Sequence, residues 1–324
     1  MGEFDLIARY FTRPAQRALL GVGDDCALLQ PRPGTQMAIS CDMLVAGRHF
    51  FDDVSPQHLG HKALAVNLSD LAACGARPLA FTLALALPAI DEAWLSGFSQ
   101  GLLALADAHG CELIGGDTTA GPLNICITVF GETEGQPLLR SGARAGDDLY
   151  VSGQLGDAHL ALQAMLGRIE LPADLLAQVR LRLERPEPRV ALGLGLRGLA
   201  SAAIDLSDGL IGDIGHVLKA SGVGASVETA ALTALMAASA HPMWATLPGV
   251  GSAIDHVLVG GDDYELAFTA PPSARQAVAQ AAYSSGTRVS RIGQIEAEPG
   301  LRLRGAQGQI VTPQLRSFDH FKTA

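Results

Sequence analysis

The sequence predicts a mixed α/β protein made of two domains. Its 324 residues exceed the ~100–200 residues of one typical domain. Both halves mix segments of helical and strand periodicity, and no fixed-period repeat is present. Small, polar and turn-forming residues at 140–148 (RSGARAGDD) separate the halves. We therefore predict an N-terminal domain at residues 1–143 and a C-terminal domain at residues 144–324.

The N-terminal half alternates between the two periodicities. Residues 57–74 are apolar at positions i, i+3, i+4 and i+7, which predicts a long buried helix. An apolar run between Pro78 and Pro88 is typical of a strand. In order, helices are predicted at 4–11, 57–74 and 92–109, and strands at 36–43, 79–87, 111–115 and 123–131.

The C-terminal half continues the pattern with shorter elements. The predicted strands are 149–152, 202–206, 263–270 and 288–295. The predicted helices are 157–166, 173–184, 188–199, 209–220 and 273–285. Helices and strands therefore occur in both domains, as a mixed fold requires.

Charge and lysine content exclude several classes of function. The formal net charge of −10 argues against a nucleic-acid partner or an anionic membrane surface. The lysines are Lys62, Lys219 and Lys322, and none of them follows a glycine and precedes Ser or Thr. A P-loop nucleotide site is therefore excluded. The protein-kinase signatures His-Arg-Asp and Asp-Phe-Gly are absent as well.

Cysteine usage and the N-terminus predict a cytoplasmic protein without a membrane segment. The five cysteines are odd in number and form no C-x-x-C pair, which is typical of a reducing compartment. Glu3 and Asp5 stand where a signal peptide would be basic. The apolar run before Pro88 is far shorter than the ~20 residues of a membrane helix.

Two short motifs are misleading. Gly193, Gly195 and Gly198 match G-x-G-x-x-G, but they lie in a helical pattern and do not follow a strand, so we interpret them as close helix packing. His58 and His61 lack the glutamate of a zinc protease helix. No serine lies in a G-x-S-x-G sequence, so a hydrolase triad has no support.

The acidic residues that indicate chemistry lie in turns flanked by Gly, Ser or Thr. Small neighbours expose backbone N–H groups and leave room for a ligand, and carboxylates are suitable ligands for Mg²⁺. Any one of these motifs is equally consistent with a plain turn, and Asp208 with a helix cap. The motifs are Gly23–Asp25, Ser40–Asp42, Asn67–Asp70, Gly115–Thr118, Asp205–Gly209 and Gly260–Asp263.

Asp70 is the strongest single indication of a metal. It lies in an otherwise apolar helical stretch, where an unpaired carboxylate costs several kcal/mol. Lys62 is two turns away, so we expect a metal rather than an ion pair. Six acidic motifs in a lysine-poor chain favour a phosphate site that holds several metal ions. Two phosphorylated substrates repel each other, since like charges ~4 Å apart repel by about 4 kcal/mol at an effective dielectric near 20. With few lysines available, Mg²⁺ ions and arginines would have to neutralise these phosphates.

Taken together, these motifs resemble the thiamine-monophosphate kinases, in the superfamily of aminoimidazole ribonucleotide synthetase. The resemblance covers nearly the whole chain. It includes Gly-Val-Gly-Asp-Asp-Cys-Ala (21–27), Val-Ala-Gly-Arg-His-Phe (45–50), Lys-Ala-Leu-Ala-Val-Asn-Leu-Ser-Asp-Leu-Ala-Ala (62–73), Ile-Gly-Gly-Asp-Thr-Thr (114–119), Arg-Ser-Gly-Ala (140–143), Ile-Asp-Leu-Ser-Asp-Gly-Leu (204–210) and Gly-Gly-Asp-Asp-Tyr-Glu-Leu (260–266).

The resemblance implies both an architecture and an activity. The N-terminal domain would bind ATP and metal and pair its sheet with a second copy in a homodimer. The C-terminal α/β domain would complete the active site. The enzyme would phosphorylate thiamine monophosphate to thiamine diphosphate with ATP, using several Mg²⁺ ions.

The resemblance also assigns site residues. The metal ligands would be Asp25, Ser40, Cys41, Asp42, Asp70, Asp117, Asp205 and Asp208. ATP would be bound by Gly116, Asp117, Arg140 and Ser207, and the catalytic set would be Asp70, Asp117, Arg140 and Asp205. Thiamine monophosphate would contact His49, Asp262 and Phe318.

Two positions depart from the family pattern. Asp262 stands where the family often has Glu, so its carboxylate reaches one methylene less far. Cys41 stands where Thr is common, so a metal contact there would use the backbone oxygen. Both departures bear on ligand geometry.

The implied mechanism is direct in-line transfer without a phospho-enzyme. With a second pKa of about 6, the substrate phosphate is ionised at pH 7 and needs no general base. Positioning, Mg²⁺ and Arg140 would supply the catalysis. The alternatives are another ATP-using enzyme of the superfamily and a non-catalytic nucleotide or metal sensor.

Overall fold

The computed structural model describes residues 2–305 and 307–311. The chain forms two compact units. Among the described residues, the first unit contains 2–71 and 76–137, and the second contains 72–75, 138–305 and 307–311. Each unit is built around its own β-sheet.

The first unit contains a four-stranded sheet in the order β1-β4-β2-β3. Strand β4 runs antiparallel to β1 and β2, whereas β2 and β3 are parallel and are joined by a helix. The elements are α1 (Glu3–Leu6, continued by a π-helical turn, Ile7–Phe11), β1 (Thr35–Val45), α2 (Pro56–Ala73), β2 (Arg77–Leu87), α3 (Glu92–His109), β3 (Glu112–Ala120) and β4 (Asn124–Glu134).

Helices α2 and α3 touch backbone to backbone. A Cβ atom at Gly60 would lie 2.0 Å from the carbonyl oxygen of Phe98, and one at Gly101 would lie 1.9 Å from that of Gln57. Glycine is therefore required at both contacts. The predicted long buried helix is confirmed as α2.

The two faces of this sheet differ in exposure. Ile125 and Ile127 of β4 are buried, as is Leu44 of β1, which is paired with Ile125. On the opposite face of β1, Met37, Ile39 and Met43 are 36%, 61% and 52% exposed. We call the exposed side, defined by these three residues, the open face.

The segment before β1 is anchored to α3 and β3. The carboxylate of Glu112 accepts the backbone N–H groups of residues 16–18. Phe11 packs edge-on against Phe98, which also stacks with Trp94 at a ring separation of 4.9 Å. The N-terminal helix is thus attached to the unit by both polar and aromatic contacts.

The second unit contains a seven-stranded sheet in the order β11-β10-β7-β9-β5-β8-β6. Neighbours are antiparallel except β10 and β7, which are parallel. The strands are β5 (Asp148–Ser152), β6 (Ala202–Leu206), β7 (Gly224–Glu228), β8 (Glu265–Ala270), β9 (Val289–Glu296), β10 (Gly300–Arg304) and β11 (Ile310–Val311).

The helices of the second unit are mostly short. They are α4 (Asp157–Met165), α5 (Ala173–Glu184), α6 (Val190–Leu196), α7 (Leu210–Ser221), α8 (Thr229–Thr233), α9 (Ala253–Val259) and α10 (Arg275–Ser284). Short 3₁₀ turns lie at Ala237–Ala240, Trp244–Thr246 and Pro272–Ala274.

One buried carboxylate joins several elements of the second unit. Glu265 at the start of β8 accepts hydrogen bonds from Arg182, Arg189 and the Ser152 hydroxyl. These donors satisfy a charge that is removed from water. Gly153 follows Ser152 in the left-handed region, where a Cβ would lie 1.9 Å from Glu265.

The structure confirms the mixed α/β prediction and corrects several boundaries. The third strand is longer than predicted and ends at Ala120, so Asp117 lies in a strand rather than a turn. The helix predicted at 188–199 is limited to Val190–Leu196. The elements that the sequence reading missed are β7, β10, β11, α8 and α9, which are short and weakly patterned.

The interpretation of the G-x-G-x-x-G match as helix packing is confirmed for Gly193 and Gly195 but is wrong for Gly198, which lies after α6 with a left-handed φ of 73° and open space around it. Gly193 and Gly195 lie inside α6. A Cβ at Gly193 would lie 2.0 Å from the carbonyl oxygen of Ala72, and one at Gly195 would lie 3.3 Å from the Cβ of Ala281. These glycines therefore serve close packing.

Across residues 2–305 and 307–311, every helix is too short or too polar to cross a lipid bilayer.

Candidate active site

Three of the expected metal ligands lie together where α2 meets β1. The Ser40 hydroxyl donates to Asp70 Oδ2 at 2.5 Å. The backbone N–H of Asp42 donates to Asn67 Oδ1 at 3.0 Å, and the Asn67 amide donates to the Ala63 carbonyl at 3.0 Å. Because Ser40 and Asp42 point to the same side of β1, this corner presents a hydroxyl and two carboxylates together.

Asp117 lies on the other face of the same sheet. In the sheet, Asp42 of β1 is paired with Ile127 of β4, and Ile127 is paired with Leu83 of β2. Asp117 of β3 is paired with Ala84, the residue after Leu83. Neighbouring residues of a strand point to opposite faces. Leu83 is buried and Ala84 is exposed, so Asp117 belongs to the open face. Within this chain the structure does not bring Asp117 together with Asp70.

Gly116 brings β3 very close to β2. Its φ is 147°, and a Cβ there would lie 1.8 Å from the carbonyl oxygen of Leu83. A side chain at this position would therefore separate the two strands. Gly116 and Asp117 form an exposed backbone edge on β3.

The Cys41 side chain also points to the open face. Its Sγ lies 3.4 Å from Sγ of Cys126 on β4. Burial and the neighbouring Cys41 raise the pKa of the Cys126 thiol to about 11. The thiol of Cys41 therefore points away from Ser40 and Asp42, so a metal contact at this position would use its carbonyl.

His49 has a defined tautomer. Its Nδ1 accepts the backbone N–H of Val45 at 3.0 Å, so the neutral ring carries its proton on Nε2. Lys62, which is only 3% exposed, donates to the carbonyl of His49 at 3.3 Å. The turn thus holds the His49 ring with Nε2 as its hydrogen-bond donor.

Asp25 lies at an exposed tip. Leu20 and Leu28 form an antiparallel bridge that closes this loop. The N–H of Asp25 donates to Asp24 Oδ1 at 2.8 Å. The place of Asp25 in a metal site stays a prediction.

In the second unit, the loop after β6 is shaped by a carboxylate that the sequence analysis did not select. Asp213 Oδ2 accepts the N–H groups of Ser207 and Asp208 at 3.0 and 3.1 Å. Burial and then the charge of Asp208 raise the pKa of Asp213 to about 7. An acidic residue in the first turn of α7 is the sequence signal that indicates this contact.

Asp262 lies against the same loop. Its N–H donates to the carbonyl of Ser207 at 2.9 Å, and that of Tyr264 donates to the carbonyl of Leu206 at 2.8 Å. Asp262 and Tyr264 have left-handed φ angles of 65° and 50°, which non-glycine residues rarely adopt. The structure therefore brings Asp262 together with the segment that carries Asp205 and Asp208.

The residue between these two strained positions is a buried anchor. Both carboxylate oxygens of Asp263 accept the N–H of Gly156, at 3.1 and 3.0 Å. Burial raises the pKa of Asp263 well above its usual range. Asp263 is thus a buried structural anchor of this loop, and the substrate role of Asp262 stays a prediction.

The charge of Arg140 influences Asp213, the carboxylate that holds the loop after β6. Arg140 is exposed, and its charge lowers the pKa of Asp213 against the larger effect of burial. Ser221 of α7 donates to the Arg140 carbonyl at 3.4 Å and accepts the N–H groups of Gly142 and Ala143. These bonds fix the backbone that carries Arg140.

The expected residues therefore form two groups. One is Ser40, Asp42 and Asp70 in the first unit, and the other is Asp205, Ser207, Asp208 and Asp262 in the second. Phe318 lies outside the described residues. Among residues 2–305 and 307–311, no three His, Cys, Asp or Glu side chains converge as a preformed metal cage.

A surface cavity of about 750 Å³ lies elsewhere in the first unit, between the N-terminal helix and α3. It contains none of the expected site residues. Two of its arginines are paired, Arg9 with Glu92 and Arg13 with Asp107.

Comparison with protein families matches both halves of the chain. The model for the N-terminal domain of AIR synthase related proteins matches residues 23–133, and the model for their C-terminal domain matches residues 144–306. The chain is 46% identical over 328 residues to thiamine-monophosphate kinase from Salmonella typhimurium, covering 99% of each sequence.

Two solved structures are similar over most of the chain. The thiamine-monophosphate kinase of Stenotrophomonas maltophilia is 44% identical with a TM-score of 0.82, covering 95% of this chain and 96% of that one. A structure described as AaThiL complexed with AMPPCP and TMP is 28% identical with a TM-score of 0.77, covering 90% and 89%.

The Asp213 contacts generate a stability prediction. Asp213→Ala removes the acceptor of two loop N–H groups, and we expect the free energy of unfolding to fall by about 2 kcal/mol. Asp213→Asn keeps an acceptor oxygen, so its loss should be well under half of that. Urea denaturation measures both. Equal losses in the two variants would show that charge, rather than the two hydrogen bonds, explains the effect.

Proposed function

This chain belongs to the thiamine-monophosphate kinases of the AIR synthase related family, and from this we infer that it phosphorylates thiamine monophosphate to thiamine diphosphate with ATP. The observation that carries the inference is the 46% identity to a curated kinase over 99% of both sequences. The similar structure complexed with AMPPCP and TMP supports both substrates.

The reaction is one displacement at phosphorus. A phosphate oxygen of thiamine monophosphate forms a bond to the γ-phosphorus of ATP, the bridging bond to the β-phosphate breaks, and ADP leaves with that bonding electron pair. The attacking phosphate has a second pKa of about 6 and is ionised at pH 7, so the chain need not remove a proton. The task of the protein is to position two anions in line.

Mg²⁺ fits the donors that the chain offers. Mg²⁺ is typically held by one or two carboxylates together with substrate phosphate oxygens and water, and it does not need a closed protein cage. Asp42 and Asp70 with the Ser40 hydroxyl form one such group, and Asp205 and Asp208 form the other. We propose these as the principal ligands, with Asp25, Asp117 and the Cys41 carbonyl as further ones. When bound, Mg²⁺ offsets the negative charge of the phosphates.

We propose substrate-binding groups in each unit. His49 presents its Nε2–H as a donor for a phosphate oxygen, and the Asp262 carboxylate faces a cationic substrate. Gly116, Asp117, Arg140 and Ser207 bind ATP. Arg140 is exposed, and its guanidinium offsets phosphate charge without a proton transfer.

We also propose a homodimer formed through the open face. Met37, Ile39 and Met43 form an apolar row on an edge strand, and such a row is typical of a buried interface. Asp117 lies on the same face. In this dimer Asp117 would be a residue of the interface rather than a neighbour of Asp70 in its own chain.

A cytoplasmic location without nucleic-acid or membrane partners completes the proposal. All five cysteines are free thiols, which fits a reducing compartment. The net charge of −10 disfavours polyanionic partners.

Phosphorus NMR tests the proposed reaction. Protein with ATP, Mg²⁺ and thiamine monophosphate should give new diphosphate signals from thiamine diphosphate and ADP, and a sample without the thiamine compound should not. ADP with free phosphate in both samples would indicate another enzyme of the superfamily. ATP binding without turnover would indicate a sensor.

Asp70→Asn tests the metal group of the first unit. The amide can still accept from Ser40, but it loses the charge that binds Mg²⁺. We expect kcat/KM to fall at least about tenfold, or 1.4 kcal/mol of barrier. Asp107→Asn, which changes an exposed carboxylate paired with Arg13, is the matched control. Unchanged turnover of Asp70→Asn at saturating Mg²⁺ would remove Asp70 from the metal site.

Ile39→Asp tests the homodimer. A charge in the middle of the apolar row should shift the mass from dimer to monomer in analytical ultracentrifugation, because it would be buried without a partner. Leu181→Asp, at a similarly exposed position on α5, should leave the mass unchanged. A wild-type monomer, or an Ile39→Asp dimer of unchanged stability, would contradict the proposed interface.

A further inference from the structure

Two histidines outside the expected site form a pair beneath the Asp262 loop. His159 of α4 and His256 of α9 approach with their Nδ1 atoms 2.9 Å apart. His256 is buried and His159 is half-buried. Trp244 packs edge-on against His256 with the ring centroids 6.3 Å apart.

The directions of the hydrogen bonds in this pair follow from one carbonyl. His256 Nε2 lies 2.6 Å from the carbonyl oxygen of Val250, which only accepts, so Nε2 carries the proton of a neutral ring. Nδ1 of His256 is then an acceptor, and His159 Nδ1–H must donate to it. His159 Nε2 in turn accepts from the Gln163 amide at 2.9 Å.

Gln163, the last residue in this series of hydrogen bonds, also has a partner for its side-chain oxygen. The Gln163 side-chain oxygen accepts from Arg168 at 3.1 Å, which confirms the orientation of the amide. Burial, followed by the charges of His256 and Arg168, lowers the pKa of His159 to about 4. The His159 ring is therefore neutral at pH 7. Both ring nitrogens of His159 and of His256 have hydrogen-bond partners of the matching kind.

The pair contacts the loop that carries Asp262. A Cβ at Gly260 would lie only 3.2 Å from Cγ of the His159 ring. The N–H of Gly260 donates to the carbonyl of His256 at 2.9 Å. On the other side, Asp262 is tied to Ser207, so the loop is held between the histidine pair and the loop after β6.

This support acts on a strained backbone. Asp262 adopts a left-handed conformation, which persists only where its surroundings enforce it. His159 fills the space directly against Gly260, two residues before Asp262. Loss of the ring would allow Gly260 and Gly261 to relax and Asp262 to leave its position.

We propose that His159, through its hydrogen bond to His256, is a positioning residue that holds Asp262 in place for thiamine monophosphate. The proposal rests on the proposed function, in which Asp262 contacts this substrate. It deepens that function by assigning substrate affinity to a residue that does not touch the substrate.

Steady-state kinetics with each substrate varied in turn tests the proposal. His159→Ala should raise KM for thiamine monophosphate about tenfold while kcat and KM for ATP change less than about twofold. His159→Gln keeps a side-chain N–H donor for His256 and should restore most of the affinity. His216→Ala, an exposed histidine on α7, should match the wild type.

Gln163→Ala provides a milder second variant if His159→Ala does not fold. It removes the amide that orients the His159 ring, and it should raise the same KM about two- to threefold. The increase in KM caused by Gln163→Ala should disappear in the His159→Gln background, because Gln163 acts only through its hydrogen bond to the His159 ring.

Two results would overturn the proposal. One is an unchanged KM for thiamine monophosphate in folded His159→Ala or Gln163→Ala. The other is an equal change of kcat and of both KM values with a lower melting temperature, which would show a purely structural pair. Absence of thiamine diphosphate formation by the wild type would instead contradict the proposed function.

Discussion

Loops in this protein are held by carboxylates that accept backbone N–H groups. Glu112 binds three such groups before β1, and Asp213 binds the two that shape the loop after β6. Asp263 holds Gly156, and Asp157 accepts the N–H groups of Ala237 and Ala238. A buried carboxylate must find such donors. The positions of the expected site residues depend on this arrangement, since Ser207, Asp208 and Asp262 all lie in loops that it fixes.

Some acidic residues therefore hold loops, whereas others are proposed to bind metal. The sequence alone distinguishes these two roles only in part. Asp70 was identifiable because a carboxylate in an apolar helix needs a partner, and the structure places Ser40 against it. Asp213 was not selected, because an acid in the first turn of a helix is also typical of a solvated residue that only favours the helix dipole. Its position in the first turn of α7 favours contact with backbone N–H groups, but which N–H groups it binds depends on the path of the preceding loop.

The fold, too, was predictable only in part. Long periodic segments such as α2 were identified from their spacing, whereas β7, with the sequence GASVE, has too few large apolar residues to indicate a strand. The face on which Asp117 lies was not accessible from sequence either. It depends on the alignment of four strands, and a shift of one residue would reverse it. The His159–His256 pair similarly depends on two helices that are about a hundred residues apart in the chain.

The two tryptophans give each unit its own optical reporter. Trp94 stacks on Phe98 in the first unit, and Trp244 packs against His256 in the second. The sequence contains only these two indoles. Replacing either one with phenylalanine would leave a single fluorophore, so the melting of each half can be followed separately in the intact chain. Coincident transitions would establish that the halves unfold cooperatively, and separated ones that each is an independent folding unit.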